Sequence, residues 1–472
     1  MRIRELASVI LFFGLCAPLG LAQKPASLPK DLPPYGAIKP YTGPQVTTQK
    51  LANGLTVWLV PRPGFPKVAF ELAVRGGVAS DPADMPGLAQ LLATTLTQGT
   101  KTRSAKDIAN QIQAAGGDLR ASSSSDDTVV STEVLSSKTT DALALLGDVA
   151  ENASFPENEV ELAKRNAADA LRANEAQPGF LARRALAKAI FGAHPYSVTS
   201  ATQDSIAKVT PDLLRQDFAR LFRPDQAILV VVGDFDAAAM TNQIGATFGN
   251  WAAPSQAAVA AVAAPSQANP HQIFMVARPG SVQTTFSLGT LGPTVRDSDY
   301  AAAQVADAIY GGMFSSRLIS NIREDKGYTY SPGSFIHERN AICLLETQAD
   351  VRNAVTGASF NEIQYELNRM ATTVPTPDEL SRAQRYLTGF QAIALQSQGA
   401  VASQLASNWI EGLPPDELTQ LNAKILTVTS QDVQNIGVKY YPANRETIVV
   451  VGEPSVIQGQ LAAFGIPIQT VP

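Results

Sequence analysis

Residues Gly311 to Tyr330 read GGMFSSRLISNIREDKGYTY, and the rest of the chain is best understood by working outward from them. Leu318 and Ile322 are four residues apart, as on one apolar face of a helix, which predicts a helix from about Ser315. Gly327 is the expected end of this helix, because glycine adopts the left-handed conformation beyond a helix at little cost.

An arginine and two tyrosines follow from this arrangement. Arg323 falls in the last turn of the predicted helix, and Tyr328 begins a predicted strand whose alternation puts Tyr328 and Tyr330 on one face. Arginine and tyrosine are both hydrogen-bond donors, so Arg323 and Tyr330 could together hold a carbonyl or an oxyanion. The residues alone favour the structural alternative, since a cation suits a helix C-terminus and a strand tyrosine often only packs.

Composition excludes several classes of partner. The chain has 472 residues, a net charge of −5 and a pI near 5.4, and no long run of like charge. This argues against nucleic acid or an anionic membrane surface as the main partner. A hydrophobic content of 45% is enough for the cores of two or three domains.

Residues 1–22 have the pattern of a secretory signal peptide. A basic start with Arg2 and Arg4 precedes the apolar run Leu6–Leu15, and Gly20-Leu-Ala22 is a small-x-small cleavage site. The run is too short to cross a membrane, and no later stretch is long enough, so we expect no integral membrane segment. The pattern predicts secretion across an inner membrane into the periplasm.

An internal repeat is the clearest sign of domain organisation. Val60-Pro-Arg-Pro-Gly64 recurs 216 residues later as Val276-Ala-Arg-Pro-Gly280. Pro224 and Gly233, which flank an apolar run, recur 218 and 219 residues later as Pro442 and Gly452. Three markers at nearly constant spacing indicate two homologous halves.

The repeat and the element pattern define the fold class. We predict an α+β chain of two homologous α/β domains, each an antiparallel-rich sheet with helices packed on it. The first domain spans 46–252 and the second 271–472, joined by an alanine-, serine- and proline-rich linker at 253–270. A proline-rich extended arm at 23–45 precedes them.

The opening stretch resembles a known signature. Gly-Gly-Met-x-Ser-Ser-Arg-Leu, then Ile-Arg-Glu, then Gly-Tyr-x-Tyr is similar to the second-domain signature of the pitrilysin/insulinase superfamily of zinc peptidases. The resemblance implies a pitrilysin-like clamshell half in which Arg323 and Tyr330 hold the scissile carbonyl. It also makes Arg323, Tyr328 and Tyr330 the expected substrate-binding residues.

The first half resembles the same family but departs from it at the metal site. Gly87 to Thr100 resembles the helix that carries H-x-x-E-H in active members, where two histidines one turn apart bind zinc and the glutamate activates water. The three matching positions hold Gln90, Ala93 and Thr94, and the position of the third ligand holds Ala170. We therefore expect a degenerate site and no metal in this chain.

Other chemistry finds little support in the sequence. The three histidines, His194, His271 and His337, have no ligand spacing with one another, and His194 resembles a structural loop motif of the family. Asp126 and Asp127 are adjacent carboxylates, which face opposite sides of a strand. No constellation for an independent hydrolase emerges.

The resemblance leaves two main hypotheses. In the first, this chain is the non-zinc-binding, substrate-binding subunit of a heterodimeric zinc metallopeptidase, and supplies Arg323 and Tyr330 in trans. Its partner is then a homologous chain that carries H-x-x-E-H and the zinc, and its substrate is a peptide. In the second, the chain is a catalytically inactive pseudopeptidase that acts as a scaffold or binding protein, and neither residue matters for turnover.

Overall fold

A computed structural model of the protein describes residues 36–38, 41–265 and 271–471. The predicted signal peptide and most of the predicted arm lie outside these residues. Within them, the strands are β1 Thr47–Lys50, β2 Thr56–Pro61, β3 Lys67–Arg75, β4 Leu119–Ser123, β5 Asp127–Leu135, β6 Ala227–Gly233, β7 Ile273–Ala277, β8 Gln283–Leu291, β9 Gly333–His337, β10 Leu344–Arg352, β11 Thr447–Gly452 and β12 Ile468–Val471.

Helices connect these strands and cover the sheets. Their bounds are α1 Leu88–Leu96, α2 Ala105–Ala114, α3 Thr139–Asn152, α4 Glu157–Glu175, α5 Pro178–Phe191, α6 Gln203–Lys208, α7 Pro211–Leu221, α8 Ala237–Phe248, α9 Tyr300–Asp307, α10 Arg317–Ile319, α11 Thr356–Thr372, α12 Pro377–Ala394, α13 Gln398–Ile410, α14 Glu417–Thr427, α15 Ser430–Tyr440 and α16 Pro454–Ala462. In the part of the chain that the structure describes, no helix is both long and apolar enough to cross a membrane.

Two six-stranded sheets confirm the predicted fold class and the internal repeat. Their strand orders are β1-β2-β6-β3-β5-β4 and β12-β7-β11-β8-β10-β9. Five strands match in order: β2 pairs parallel with β6, as β7 does with β11, and the remaining matched pairs are antiparallel. Only the outer edge differs, because β1 is antiparallel to β2 whereas β12 is parallel to β7.

The repeated motifs occupy the same place in each sheet. The Arg62 N–H donates to the Gly233 carbonyl at 2.6 Å, and the Arg278 N–H donates to the Gly452 carbonyl at 2.7 Å. Each arginine follows a strand whose parallel neighbour ends in that glycine. The sequence similarity between the halves therefore reflects an equivalent backbone contact.

Short sequence signals account for the local structure of the first half. The Asn53-Gly54 turn joins β1 and β2, and Gly54 has φ 98°, a conformation that favours glycine. Ser104 and Asp107 form the predicted capping box of α2. All residues of β6 are buried, because this central strand is covered on both faces.

Each half contributes one helix to the sheet of the other half, which the sequence analysis did not predict. Helix α13, from the second half, packs on β3 and β6 through Val401 and Leu405, in a cluster that includes Trp58 of the first sheet. Helix α5, from the first half, packs on β8 and β11 through Leu186 and Ile190. The two halves are thus interlocked rather than separately packed.

Candidate functional site

The segment from Ser316 to Gly327 carries the candidate site and buries one face, as predicted. Ser316 caps α10, its hydroxyl accepting from the Ile319 N–H, and a wider helical turn with i→i−5 hydrogen bonds continues over Ser320–Asp325. Leu318 and Ile322 are fully buried. Gly327 has φ 62°, so it ends the helix in the left-handed conformation that the sequence predicts.

The predicted strand at Tyr328–Tyr330 is wrong. These residues have no ladder, and β9 begins only at Gly333, opposite Gln348 of β10. A strand needs a neighbour to bond with, and beyond Gln348 strand β10 bonds only to β8 on its other side. Tyr330 is 80% exposed, whereas Tyr328 is half-buried, so the two side chains have different surroundings.

The structure brings Arg323 and Tyr330 together. The guanidinium carbon of Arg323 lies 4.6 Å from the centroid of the Tyr330 ring and 4.7 Å from that of Phe314. Arg323 Nε lies 3.0 Å from Glu324 Oε1. Among the described residues, no hydrogen bond engages the two terminal amino groups of Arg323. Their donors are therefore available to an oxygen ligand.

A buried ion pair anchors this segment to the helices behind it. Arg317 donates from Nε to Glu379 Oε1 at 2.7 Å, and only 4% of its side chain is exposed. Burial raises the pKa of Glu379, but the hydrogen bonds from Arg317 and Thr376 outweigh burial and bring the pKa to about 2. Asn321 donates to Glu366 on α11 at 2.8 Å. These contacts fix the segment relative to α11 and α12.

The positions of the degenerate zinc site offer no ligand set for the metal. On α1, Gln90 is half-buried and Ala93 is 2% exposed. Thr94 is exposed, and its hydroxyl donates to the Gln90 carbonyl at 2.8 Å. On α4, Ala170 is exposed, and the neighbouring Asp169 pairs with Arg172 at 3.0 Å. An amide, two methyl groups and a hydroxyl do not form a zinc site, which needs imidazole, thiolate or carboxylate donors.

The backbone frame around this helix is nevertheless intact. Gly87 has φ 84°, and a Cβ there would lie 2.5 Å from the Cβ of Ala201, so no other residue fits without displacement. The carboxylate of Asp81 accepts from the N–H groups of Gly87 and Ala89 at 2.7 and 3.0 Å. The helix start is thus preserved while its chemistry is lost.

The three histidines lie apart and contact other groups. His194 bonds the Ala263 carbonyl and accepts from the Tyr196 N–H, which fits a structural role. His271 contacts the Glu446 carbonyl at 3.3 Å. Within the described ranges, no group of three or more histidine, cysteine, aspartate and glutamate side chains is arranged to hold a metal ion.

One polar cluster was missed by the sequence analysis. His337 Nε2 lies 2.6 Å from Glu346 Oε2, and Ser287 donates to the other oxygen of Glu346. Burial raises the pKa of Glu346, but these hydrogen bonds outweigh burial and hold the pKa below its ordinary value. His337, Glu346 and Gln90 line a cavity of about 270 Å³ between the two halves. Sheet register alone could have indicated it, since β9 pairs with β10 and β10 with β8.

Comparison with known proteins identifies the family. Residues 56–202 match the family described as insulinase (peptidase family M16), and residues 208–387 match that described as the peptidase M16 inactive domain. The second match includes Arg323 and Tyr330. Together the matches cover most of the chain, which belongs to the pitrilysin/insulinase (M16) superfamily.

Individual relatives agree with this assignment. An uncharacterized zinc protease of Bacillus subtilis is 24% identical over 75% of this chain and 86% of its own length. Another, from Streptomyces coelicolor, is 24% identical over 85% of this chain and 88% of its own length.

Solved structures share the fold. The peptidase M16 inactive domain from Pseudomonas fluorescens has a TM-score of 0.81 and 25% identity, covering 87% of this chain and 98% of that one. A protease from Helicobacter pylori has a TM-score of 0.81 at 19% identity, covering 87% of this chain and 99% of that one, and shows likeness of fold alone.

Proposed function

We propose that this chain is the non-zinc-binding, substrate-binding subunit of a heterodimeric zinc metallopeptidase. The observation that carries the proposal is the pair Arg323 and Tyr330, which lie together with free donors on the surface. The helix that would carry the metal holds Gln90, Ala93 and Thr94 instead. The chain thus retains the groups for binding a carbonyl and lacks the groups for activating water.

The chemistry of the pair is electrostatic. When a peptide carbonyl becomes tetrahedral, negative charge develops on its oxygen, and hydrogen-bond donors placed there lower the barrier. The terminal amino groups of Arg323 and the hydroxyl of Tyr330 are such donors. A guanidinium stays charged at any relevant pH, so Arg323 needs no proton transfer to act.

The comparisons support the context of the proposal. Relatives of this chain carry the description zinc protease, and the inactive-domain match covers the segment from Ser316 to Tyr330. Such a chain needs a partner that supplies the missing half of the site. We therefore propose a homologous subunit carrying H-x-x-E-H, and a shared periplasmic location that follows from the signal-peptide pattern of residues 1–22.

Reconstitution tests the proposal. The chain is purified alone and together with the H-x-x-E-H homologue encoded in the same genome, and cleavage of a fluorogenic peptide library and zinc content are measured. We expect no cleavage and no stoichiometric zinc in the chain alone, and chelator-sensitive cleavage by the pair. Zinc-dependent cleavage by the isolated chain would contradict the proposal.

The scaffold hypothesis gives a different result. A pair that assembles and cleaves peptides equally well with Arg323→Ala or Tyr330→Phe would show that this chain contributes structure alone. Absence of any H-x-x-E-H homologue from the genome would point the same way.

A further inference from the structure

Phe314 stands beside the proposed carbonyl-binding pair, and no feature of the sequence signature assigns it a role. Its ring is 63% exposed, and its centroid lies 4.7 Å from the guanidinium carbon of Arg323. Arg323 lies at almost the same distance, 4.6 Å, from the Tyr330 ring. The guanidinium therefore contacts two aromatic rings that come from either end of the segment.

The backbone on either side of Phe314 is firmly held. Met313 is 4% exposed, and its N–H donates to the Ala308 carbonyl. Ser316 is fully buried, and its N–H donates to the Met313 carbonyl at 2.9 Å. The position of the Phe314 ring is thus constrained by a buried residue just before it and another two residues after it.

Two rings and a carboxylate restrict a side chain that would otherwise be mobile. A long arginine side chain has many rotamers, and fixing it for each substrate costs entropy. A cation within about 6 Å of a ring centroid is attracted to the ring. Glu324 additionally engages Nε, at 3.0 Å. Ring contacts leave the in-plane N–H donors free, so the contacts orient Arg323 without consuming its terminal donors.

We propose that Phe314 is a positioning residue for Arg323, holding the guanidinium with Tyr330 so that its terminal amino groups face an incoming peptide carbonyl. This inference rests on the proposed function of Arg323. It assigns Phe314 no contact with the substrate. Its effect on turnover is expected to pass entirely through Arg323.

Nuclear magnetic resonance on the isolated full chain tests the positioning directly. Arginine is labelled with ¹⁵N and ¹³C, and the Nε and Cδ signals of Arg323 are assigned by comparison with Arg323→Lys. We expect Phe314→Leu to remove the ring-current shift of these signals, and Phe314→Tyr to retain it. Phe335→Leu is the matched control, because Phe335 is an exposed ring whose aromatic neighbour is His337.

Kinetics of the reconstituted pair then test the consequence. Phe314→Leu is expected to lower kcat roughly fivefold with KM little changed, the factor that corresponds to one exposed cation–π contact. Phe314→Tyr should restore kcat, and Phe314→Leu in an Arg323→Ala background should have no further effect.

The outcomes separate this inference from the proposed function. Unchanged Arg323 signals in Phe314→Leu, or an unchanged kcat in that variant while Arg323→Ala is impaired, would overturn the role of Phe314 and leave the proposed function standing. Full activity of both Arg323→Ala and Phe314→Leu would overturn the two together.

Discussion

The helix that corresponds to α4 of the first half is α12 of the second, and the two present opposite surfaces. A shift of 220 residues carries Pro178, the start of α5, onto Gln398, the start of α13, and buried Ala163 onto buried Ala383. The same shift carries Ala170, the degenerate ligand position, onto Phe390, which is 62% exposed. One half has lost its donors to a methyl group, and the other bears an aromatic ring there.

This difference shows that the repeat preserves the buried face of the helix and leaves the outer face free to change. The alanines at 163 and 383 are constrained by packing, where added volume would force neighbours to move. The exposed positions have no such constraint. Loss of the zinc positions therefore costs the fold little, which is why a complete pitrilysin-like frame survives around them.

The largest expected effect concerns the helices that the halves exchange. Leu405 of α13 is fully buried against the first sheet, and Leu186 of α5 is 1% exposed against the second. We expect Leu405→Ala and Leu186→Ala each to lower the free energy of unfolding by about 4 kcal/mol. Because each helix belongs to one half and covers the other, both halves should unfold together.

Urea unfolding followed by tryptophan fluorescence and circular dichroism measures this effect. Leu162→Ala is the control, since Leu162 is 45% exposed and its truncation should cost less than about 1 kcal/mol. Two separate transitions, with Leu405→Ala shifting only that of the second half, would contradict the interlocked arrangement.

The next effect compares the donors of the second half with the lost donors of the first. In the reconstituted pair, Arg323→Ala or Tyr330→Phe should each lower turnover roughly a hundredfold, equivalent to about 3 kcal/mol, with assembly intact. The double change should cost less than the product of the single changes, because both groups act on one oxygen.

Size-exclusion chromatography serves as the control for assembly in these variants. Thr94→Ala is the matched substitution in the degenerate first-half site and should leave turnover unchanged, since its hydroxyl bonds only to the helix backbone. If Thr94→Ala were as damaging as Arg323→Ala, the first-half helix would not be inert.

Much of this arrangement follows from local sequence. Gly327, the capping box at Ser104 and the shared contacts of Arg62 and Arg278 are short-range features, and each was predictable from neighbouring residues. The strand at Tyr328 failed because extended propensity gives a strand only when another strand is there to pair with. The exchange of α5 and α13 could not be predicted, since an apolar helix face does not specify which sheet it covers.

A smaller effect depends on pH and on the cavity of about 720 Å³ between the first sheet and α13. Burial raises the pKa of Glu71 to about 7, and burial together with neighbouring carboxylates raises that of Glu411 to about 8. A carboxyl with a higher pKa in the folded chain binds its proton more tightly when folded. Its stabilisation is present at acidic pH and is lost as pH rises.

The window follows from these pKa values. Stability should fall by about 2 kcal/mol between pH 5 and pH 8, and Glu71→Gln with Glu411→Gln should flatten the profile. Charged and titratable neighbours in the cavity are Arg120, Asp126, Asp127, Glu133, Glu338 and Arg339. The measurement is urea unfolding at several pH values, and a double variant that keeps the wild-type slope would exclude these carboxyls as its cause.

The smallest expected effect separates two tyrosines two residues apart. Tyr328 is half-buried, and its backbone N–H donates to the Ile322 carbonyl at 2.9 Å, a contact that phenylalanine keeps. Tyr330 is 80% exposed and contacts the Arg323 guanidinium with its ring. Tyr328→Phe should therefore change turnover of the reconstituted pair by less than about twofold, while Tyr330→Phe removes a donor to the oxyanion. Parallel kcat and KM measurements on the two variants decide between the positions. A loss in Tyr328→Phe equal to that in Tyr330→Phe would mean that the substrate-bound segment differs from the one described, with the half-buried hydroxyl turned outward beside Arg323.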